Sequence, residues 1–232
     1  MKKIIASAVV AAATLSASQA AVFNGYSAGI TGGSFTSHNK LKATGAKGKL
    51  DKTFGTYGIH FDYDRSAPNA FYWGLGVDAM IFSGKKSQTG TVPVRGVVQG
   101  NAVDGNLTST LKMQYRWSSE LDARFGYNIC NNAAVYALVG ARAYHKIFTV
   151  NTSFDGTVNG AASHQTAGGK VKKTRIAPVV GAGIKAKVAA NLSAGLEYRY
   201  AFEREEKYTG FEGKAKFKQD AHAVLAKVSY HF

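Results

Sequence analysis

From Leu107 to Tyr127 the chain alternates in character (LTSTLKMQYRWSSELDARFGY). Odd positions carry Leu107, Leu111, Met113, Tyr115, Trp117, Leu121, Phe125 and Tyr127, with small residues between them. Even positions carry Lys112, Arg116, Glu120, Asp122 and Arg124. A period of two held this long means extended strand. Two architectures accept it. A soluble sandwich buries the apolar face and wets the charges. A membrane barrel does the reverse, with apolar side chains in lipid and polar ones inside.

The same alternation recurs along the chain. It predicts strands over 25–36, 53–63, 71–82, 107–127, 133–148, 171–188, 192–203 and 217–232. The expected fold is all-β, an eight-stranded antiparallel transmembrane β-barrel. A ten-stranded alternative places a hairpin at 118–120 and recruits 91–98 as a strand; the unbroken parity of 107–127 favours eight. Pro178 removes a ladder donor, so a bulge or break is expected there. Long polar connections near 37–50, 84–106, 149–170 and 204–216 alternate with short turns at 64–70, 129–132 and 189–191. Outer-membrane barrels sort their connections this way, long ones external and short ones periplasmic.

Three features favour lipid outside. Glycines share the charged face: Gly58, Gly74, Gly76, Gly140, Gly181, Gly183 and Gly195. A solvent-facing strand glycine costs stability to no purpose, whereas inside a narrow barrel it makes room for a long charged side chain. Aromatics on the apolar face cluster towards strand ends, including Tyr63, Phe71, Trp117, Tyr127, Tyr200, Tyr230 and Phe232, as an interfacial girdle requires. The polar face also mixes signs, and buried charges need partners. The expected interior network comprises Asp78, Arg116, Glu120, Asp122, Arg124, Arg142, Lys185, Lys187, Glu197 and Arg199. An eight-stranded interior holds just enough space for side chains, so a filled core is expected rather than a wide pore.

The N-terminus fits export. Lys2 and Lys3 precede a short apolar run, and Ser18-Gln19-Ala20 supplies a small-x-small cleavage site. Residues 1–20 are therefore expected to be a signal peptide, and 21–232 the barrel domain. The formal charge of +15 predicts attraction to anionic surfaces. An exported protein rarely meets nucleic acid, so no nucleic-acid partner is expected. Outer-membrane lipids and lipopolysaccharide are, with host surface polysaccharide or a receptor as a further partner. Basic connections at Lys40, Lys42, Lys47, Lys49, Lys85, Lys86, Lys207 and Lys214 are the expected contacts. Cys130 is the single cysteine, so no intrachain disulfide framework exists.

Four stretches stand out: Leu121 to Tyr144 (LDARFGYNICNNAAVYALVGARAY), Gly181-Ala182-Gly183, Leu196-Glu197-Tyr198-Arg199-Tyr200 and Val228-Ser229-Tyr230-His231-Phe232. In them the chain resembles the small Gram-negative outer-membrane β-barrel proteins, in particular the 25/31-kDa outer membrane immunogenic proteins and their opacity-protein relatives. Where the family pattern has Arg-x-Arg-Leu-Gly-Tyr, this chain has Asp122 in place of the first Arg and keeps Arg124, Gly126 and Tyr127. The resemblance implies the outer membrane as location. It also implies that Val228, Tyr230 and the terminal Phe232 form the signal read by the barrel assembly machinery. The family includes structural proteins, surface antigens and adhesins. A structural and adhesive surface role is the resulting expectation.

A small porin is the alternative, with an anion-favouring path along Lys185, Lys187 and Arg175. A lipid-acting membrane enzyme is the lesser one. His60 and Asp62 are inward neighbours, and His145 with Ser153 or Ser163 lies near a long connection. Neither group makes a recognisable catalytic arrangement, so no enzyme, metal or cofactor is expected.

Overall fold

Alternating sequence becomes strand wherever the chain is described. The computed structural model describes residues 23–43, 46–67, 70–98, 100–130, 132–202, 206–209 and 214–232. The expected signal peptide lies outside them. In order the strands are β1 (Gly25–Ala43), β2 (Ala46–Ser66), β3 (Phe71–Ser83), β4 (Lys86–Val98) and β5 (Asn101–Cys130). They continue with β6 (Ala133–Val158), β7 (Ala161–Ala189), β8 (Leu192–Phe202), β9 (Glu206–Thr209) and β10 (Lys214–His231).

Neighbours run β1-β2-β3-β5-β6-β7-β8-β10, and β10 pairs back onto β1. Eight strands thus close into a ring, with β4 attached to β5 and β9 to β10. Closure by β1 and β10 is antiparallel and in register from Ser27 opposite His231 to Lys42 opposite Lys216. A closed ring leaves no edge whose backbone groups would lack partners in lipid.

The chain forms two compact units. The first holds the residues up to Phe82, Ser118–Ala143 and Ile176–Phe232; the second holds Ser83–Trp117 and Tyr144–Arg175. In the first unit the two faces are inverted relative to a soluble protein. Leu121 is 62% exposed while Arg124, three residues on, is 1% exposed. Ile30, Ile59, Leu75, Val139 and Val228 are also exposed, while Asp62, Asp78, Glu197 and Arg199 are buried. In water this arrangement would lose the hydrophobic contribution of every one of those apolar side chains. In a bilayer it is the stable one.

Aromatics on the outward face gather near the short turns. Tyr26 and Tyr63 lie 5.0 Å apart, Tyr63 and Trp73 5.6 Å, and Tyr230 and Phe232 5.6 Å. Amphipathic rings favour the water–hydrocarbon boundary.

Several sequence expectations need correction. The stretches at 37–50, 84–106 and 149–170 are mostly paired strand. β1 and β2 stay in register up to Ala43 opposite Ala46. β4 pairs with β5 from Lys86 opposite Met113 to Val98 opposite Asn101. Glycine lowers strand propensity, but cross-strand threonine pairs such as Thr89–Thr110 and Thr91–Thr108, each 3.1 Å, hold the hairpin. The parity of β5 is also broken. Met113 and Tyr115 are buried at odd positions, Arg116 and Trp117 are both exposed, and Ser118, Glu120, Asp122 and Arg124 are buried at even ones. One extra residue in a strand produces such a phase change. β5 nevertheless runs through 118–120 without a hairpin. Pro178 causes no break in β7. It stands just before Val179, where the register with β8 begins, and the shift falls instead between Lys187 and Ala189.

Candidate functional site

The interior of the first unit is a continuous charge network. Period-two strands aim alternate residues inward, so among the described residues seven of the eight ring strands, all but β1, each supply one to three buried charges. The buried carboxylates are Asp62 and Asp64 on β2, Asp78 on β3, Glu120 and Asp122 on β5 and Glu197 on β8. The buried cations of this unit are Arg124 on β5, Arg142 on β6, Lys185 on β7, Arg199 on β8 and Lys227 on β10.

Arg199 is the hub. Its Nη1 lies 2.7 Å from Glu120 Oε1 and its Nη2 3.0 Å from Asp78 Oδ2. Its Nε donates to Glu197 Oε2 at 2.8 Å. Arg124 Nη2 donates to Asp62 Oδ1 at 2.9 Å, and its Nε is 2.8 Å from Asp122 Oδ1, too bent for a hydrogen bond but an ion pair. Arg142 Nε donates to Glu120 Oε2 at 2.5 Å. Lys227 Nζ is 3.0 Å from Asp78 Oδ1, and Lys185 Nζ is 2.5 Å from Asp64 Oδ2. Tyr72 donates to Asp64 at 2.5 Å and Tyr136 to Glu197 at 2.8 Å. Fully desolvated charges tolerate burial only when paired in this way.

Glycine supplies the space. A Cβ on Gly76 would stand 2.3 Å from Arg124 Nη2, and one on Gly183 would stand 2.7 Å from the Tyr136 ring. Apolar groups close the network on two sides. Phe23 is buried against Tyr72, with ring centroids 6.0 Å apart, and Lys185 Nζ sits 5.4 Å from its ring. Phe35 contacts Phe82 at 5.0 Å and Phe54 at 6.5 Å, and the Arg142 guanidinium lies 5.7 Å from the Phe35 ring.

Of the ten residues expected inside, Asp78, Glu120, Asp122, Arg124, Arg142, Lys185, Glu197 and Arg199 meet in this network. Arg116 does not. It is exposed, because the phase change at 116–117 turns it away from the buried face. Lys187 is half-buried, 6.0 Å from the Phe23 ring, and forms no ion pair among the described residues. The expected set omits two members of the network. Asp64 falls in the expected turn at 64–70, although the inward parity of Thr56, His60 and Asp62 continues through it to Ser66. Lys227 shares the inward parity of Leu225 and Ser229 and is found by the same count.

His60 makes a more suggestive contact. Its Nε2 is 2.8 Å from Ser229 Oγ and its Nδ1 2.9 Å from Thr31 Oγ1. Asp62 stands 3.9 Å away on the Nε2 side, where it cannot orient the ring as a catalytic carboxylate would. All of these groups are at most 3% exposed, so the trio packs the interior. His145 bonds Thr174 at 3.0 Å and stacks on Trp117, rather than meeting Ser153 or Ser163. Among the described residues no His, Cys, Asp and Glu side chains converge to hold a metal ion.

Of the basic residues, Lys85 is exposed; the side chains at 40, 42, 47, 49, 86, 207 and 214 lie outside the described set. Backbone register is still informative. Lys40 stands opposite Lys49 on β2 and Lys218 on β10. Lys42 stands opposite Lys47 and Lys216, and Lys216 opposite Lys207 on β9. Val228 and Tyr230 face outward with Phe232 beyond them, all exposed.

A family model described as "Outer membrane protein beta-barrel domain" matches residues 5–232. No curated protein matches the sequence. Similar solved structures include OprG from Pseudomonas aeruginosa, at 15% identity and a TM-score of 0.44, covering 91% of this chain and 98% of that one. Ail of Yersinia pestis, in complex with the heparin analogue sucrose octasulfate, matches at 16% identity and 0.36, covering 90% and 99%. The outer membrane protease OmpT from Escherichia coli matches at 10% identity and 0.42, covering 90% and 97%.

Proposed function

The chain belongs to the outer membrane protein β-barrel domain family, and on that premise we propose that it is a sealed surface barrel whose basic residues hold anionic saccharides. The observation that carries the sealed reading is the set of bridges across the interior. Arg199 on β8 reaches Asp78 on β3 and Glu120 on β5, and Lys185 on β7 reaches Asp64 on β2. None of these strand pairs are neighbours in the ring, so the bridges occupy the space a channel would need.

The basic excess supports the saccharide reading. Like charges directly opposite in a sheet destabilise it. The lysines in register on β2, β1, β10 and β9 therefore favour a bound polyanion. Lipopolysaccharide phosphate and anionic host polysaccharide both supply one. The anion-channel alternative loses support at Lys185, which Asp64 neutralises, and at Arg175, which is exposed in the other unit.

Proteoliposomes test both halves. The reading expects no entry of small sugars or chloride beyond that of empty liposomes, together with salt-sensitive retention on immobilised heparin. Rapid solute entry would remove the sealed barrel, and flow-through at low salt would remove the saccharide contact.

A further inference from the structure

The second unit has an unbalanced charge. Its two stretches carry ten Lys and Arg residues and only two acids, Asp104 and Asp155. Both acids are engaged. Asp104 pairs with Arg95 at 2.9 Å, and Asp155 pairs with His164. A cleft of about 240 Å³ in this unit is lined by Lys85, Lys112, Arg116 and Lys170, with Gln114 and Thr149 beside them. No carboxylate lines it. Among the described residues none lies within ion-pair distance of Lys112, Arg116 or Lys170.

Local structure explains the convergence. Lys112, Gln114 and Arg116 alternate along β5 and so share one face, at a spacing of roughly 7 Å from one to the next. Lys85 precedes β4, which pairs with this part of β5. The phase change that takes Arg116 out of the charge network leaves it on the face of Lys112. Lys112, Arg116 and Lys170, gathered in one small cleft that no carboxylate lines, repel one another, and the repulsion is relieved by a multiply charged anion. Arginine offers a planar fork to an oxyanion, lysine a compact charge, and Gln114 and Thr149 neutral donors. The cleft has room for roughly eight waters, more than a bare phosphate fills and about the size of one phosphorylated sugar.

We propose that this cleft binds a phosphorylated sugar through Lys85, Lys112, Arg116 and Lys170. It rests on the saccharide reading above and gives that reading a specific seat. The same chemistry is found in a free sugar phosphate and in the headgroup of a phosphorylated glycolipid. The full-length folded barrel is tested against both. Glucose 1,6-bisphosphate is titrated by calorimetry, and phosphatidylcholine vesicles with and without diphosphoryl lipid A are used for co-sedimentation. Lys112→Gln with Arg116→Gln is compared with Lys172→Gln and Lys173→Gln, which remove the same charge outside the cleft lining. None of the four side chains is buried, and unchanged heat-modified mobility checks the fold.

The expected result is a loss of about tenfold or more in affinity for the cleft pair, and less than about twofold for the other. Binding of the soluble bisphosphate assigns a free sugar phosphate, and binding confined to lipid A vesicles assigns the glycolipid headgroup. Equal weakening by both pairs overturns the cleft and leaves a diffuse basic surface. No binding of either probe by the unmodified protein overturns the cleft, and retention on heparin then decides separately whether the saccharide reading survives.

Discussion

Arg199 Nη1 meets Glu120 Oε1 at 2.7 Å although β6 and β7 stand between their strands in the ring. The contact therefore passes through the interior rather than along the sheet. Replacing Arg199 with Ala leaves Glu120, Asp78 and Glu197 buried without their shared cation. The expected loss is about 3–5 kcal/mol. It is read as a shifted urea midpoint for unfolding from lipid vesicles. An unchanged midpoint would show that the hub does not hold the barrel.

Gly76 is expected to be intolerant of any side chain. A Cβ there would meet Arg124 Nη2 at 2.3 Å and Asp62 Oδ1 at 2.8 Å, so Gly76→Ala displaces a buried ion pair. Overpacking of this kind costs about 1–3 kcal/mol. Gly32 is the control, because nothing lies within 4 Å of a Cβ placed there. Equal stability of the two alanine variants would count against the packed interior.

Cys130 reports sidedness. It is exposed, and its Sγ donates to Asn132 Oδ1 at 2.9 Å in the short turn between β5 and β6. Short turns of outer-membrane barrels face the periplasm. A membrane-impermeant maleimide is expected to spare intact cells and to label Cys130 once the outer membrane is permeabilised. Labelling of intact cells would invert the topology.

Phe232 is exposed at the end of β10, beyond Val228 and Tyr230 on the outward face. If these residues are read during assembly, Phe232→Ser lowers the amount of folded barrel in cells but leaves refolding of purified protein in detergent unchanged. A parallel loss in both settings would assign Phe232 to stability alone.

The inward face was legible from alternation alone, because one parity per strand carries charge and glycine while the other carries aliphatic residues. Asp62, Arg124, Glu197 and Arg199 take the inward parity on that count, and all four are buried. What defeated the count was phase. Nothing in the local sequence marks the extra residue at Arg116–Trp117, since both neighbours suit a strand, and parity beyond it pointed Arg116 inward. Asp64 was lost for a different reason. Asp, Arg, Ser, Ala and Pro in succession resemble a turn, yet pairing with Gly25 holds Asp64 in strand. The long hairpins are harder to read because glycine lowers strand propensity and their polar runs carry no clear alternation, although their strands pair across tight local turns such as Val98 opposite Asn101.

Single-channel recording in a planar bilayer bears most directly on the central claim, that buried charge bridges seal the barrel. Protein folded in detergent and inserted at low density is expected to give no discrete current steps at either polarity. Regular openings in the unmodified protein, with ion selectivity altered by Lys185→Gln, would show that the interior conducts and would contradict the account.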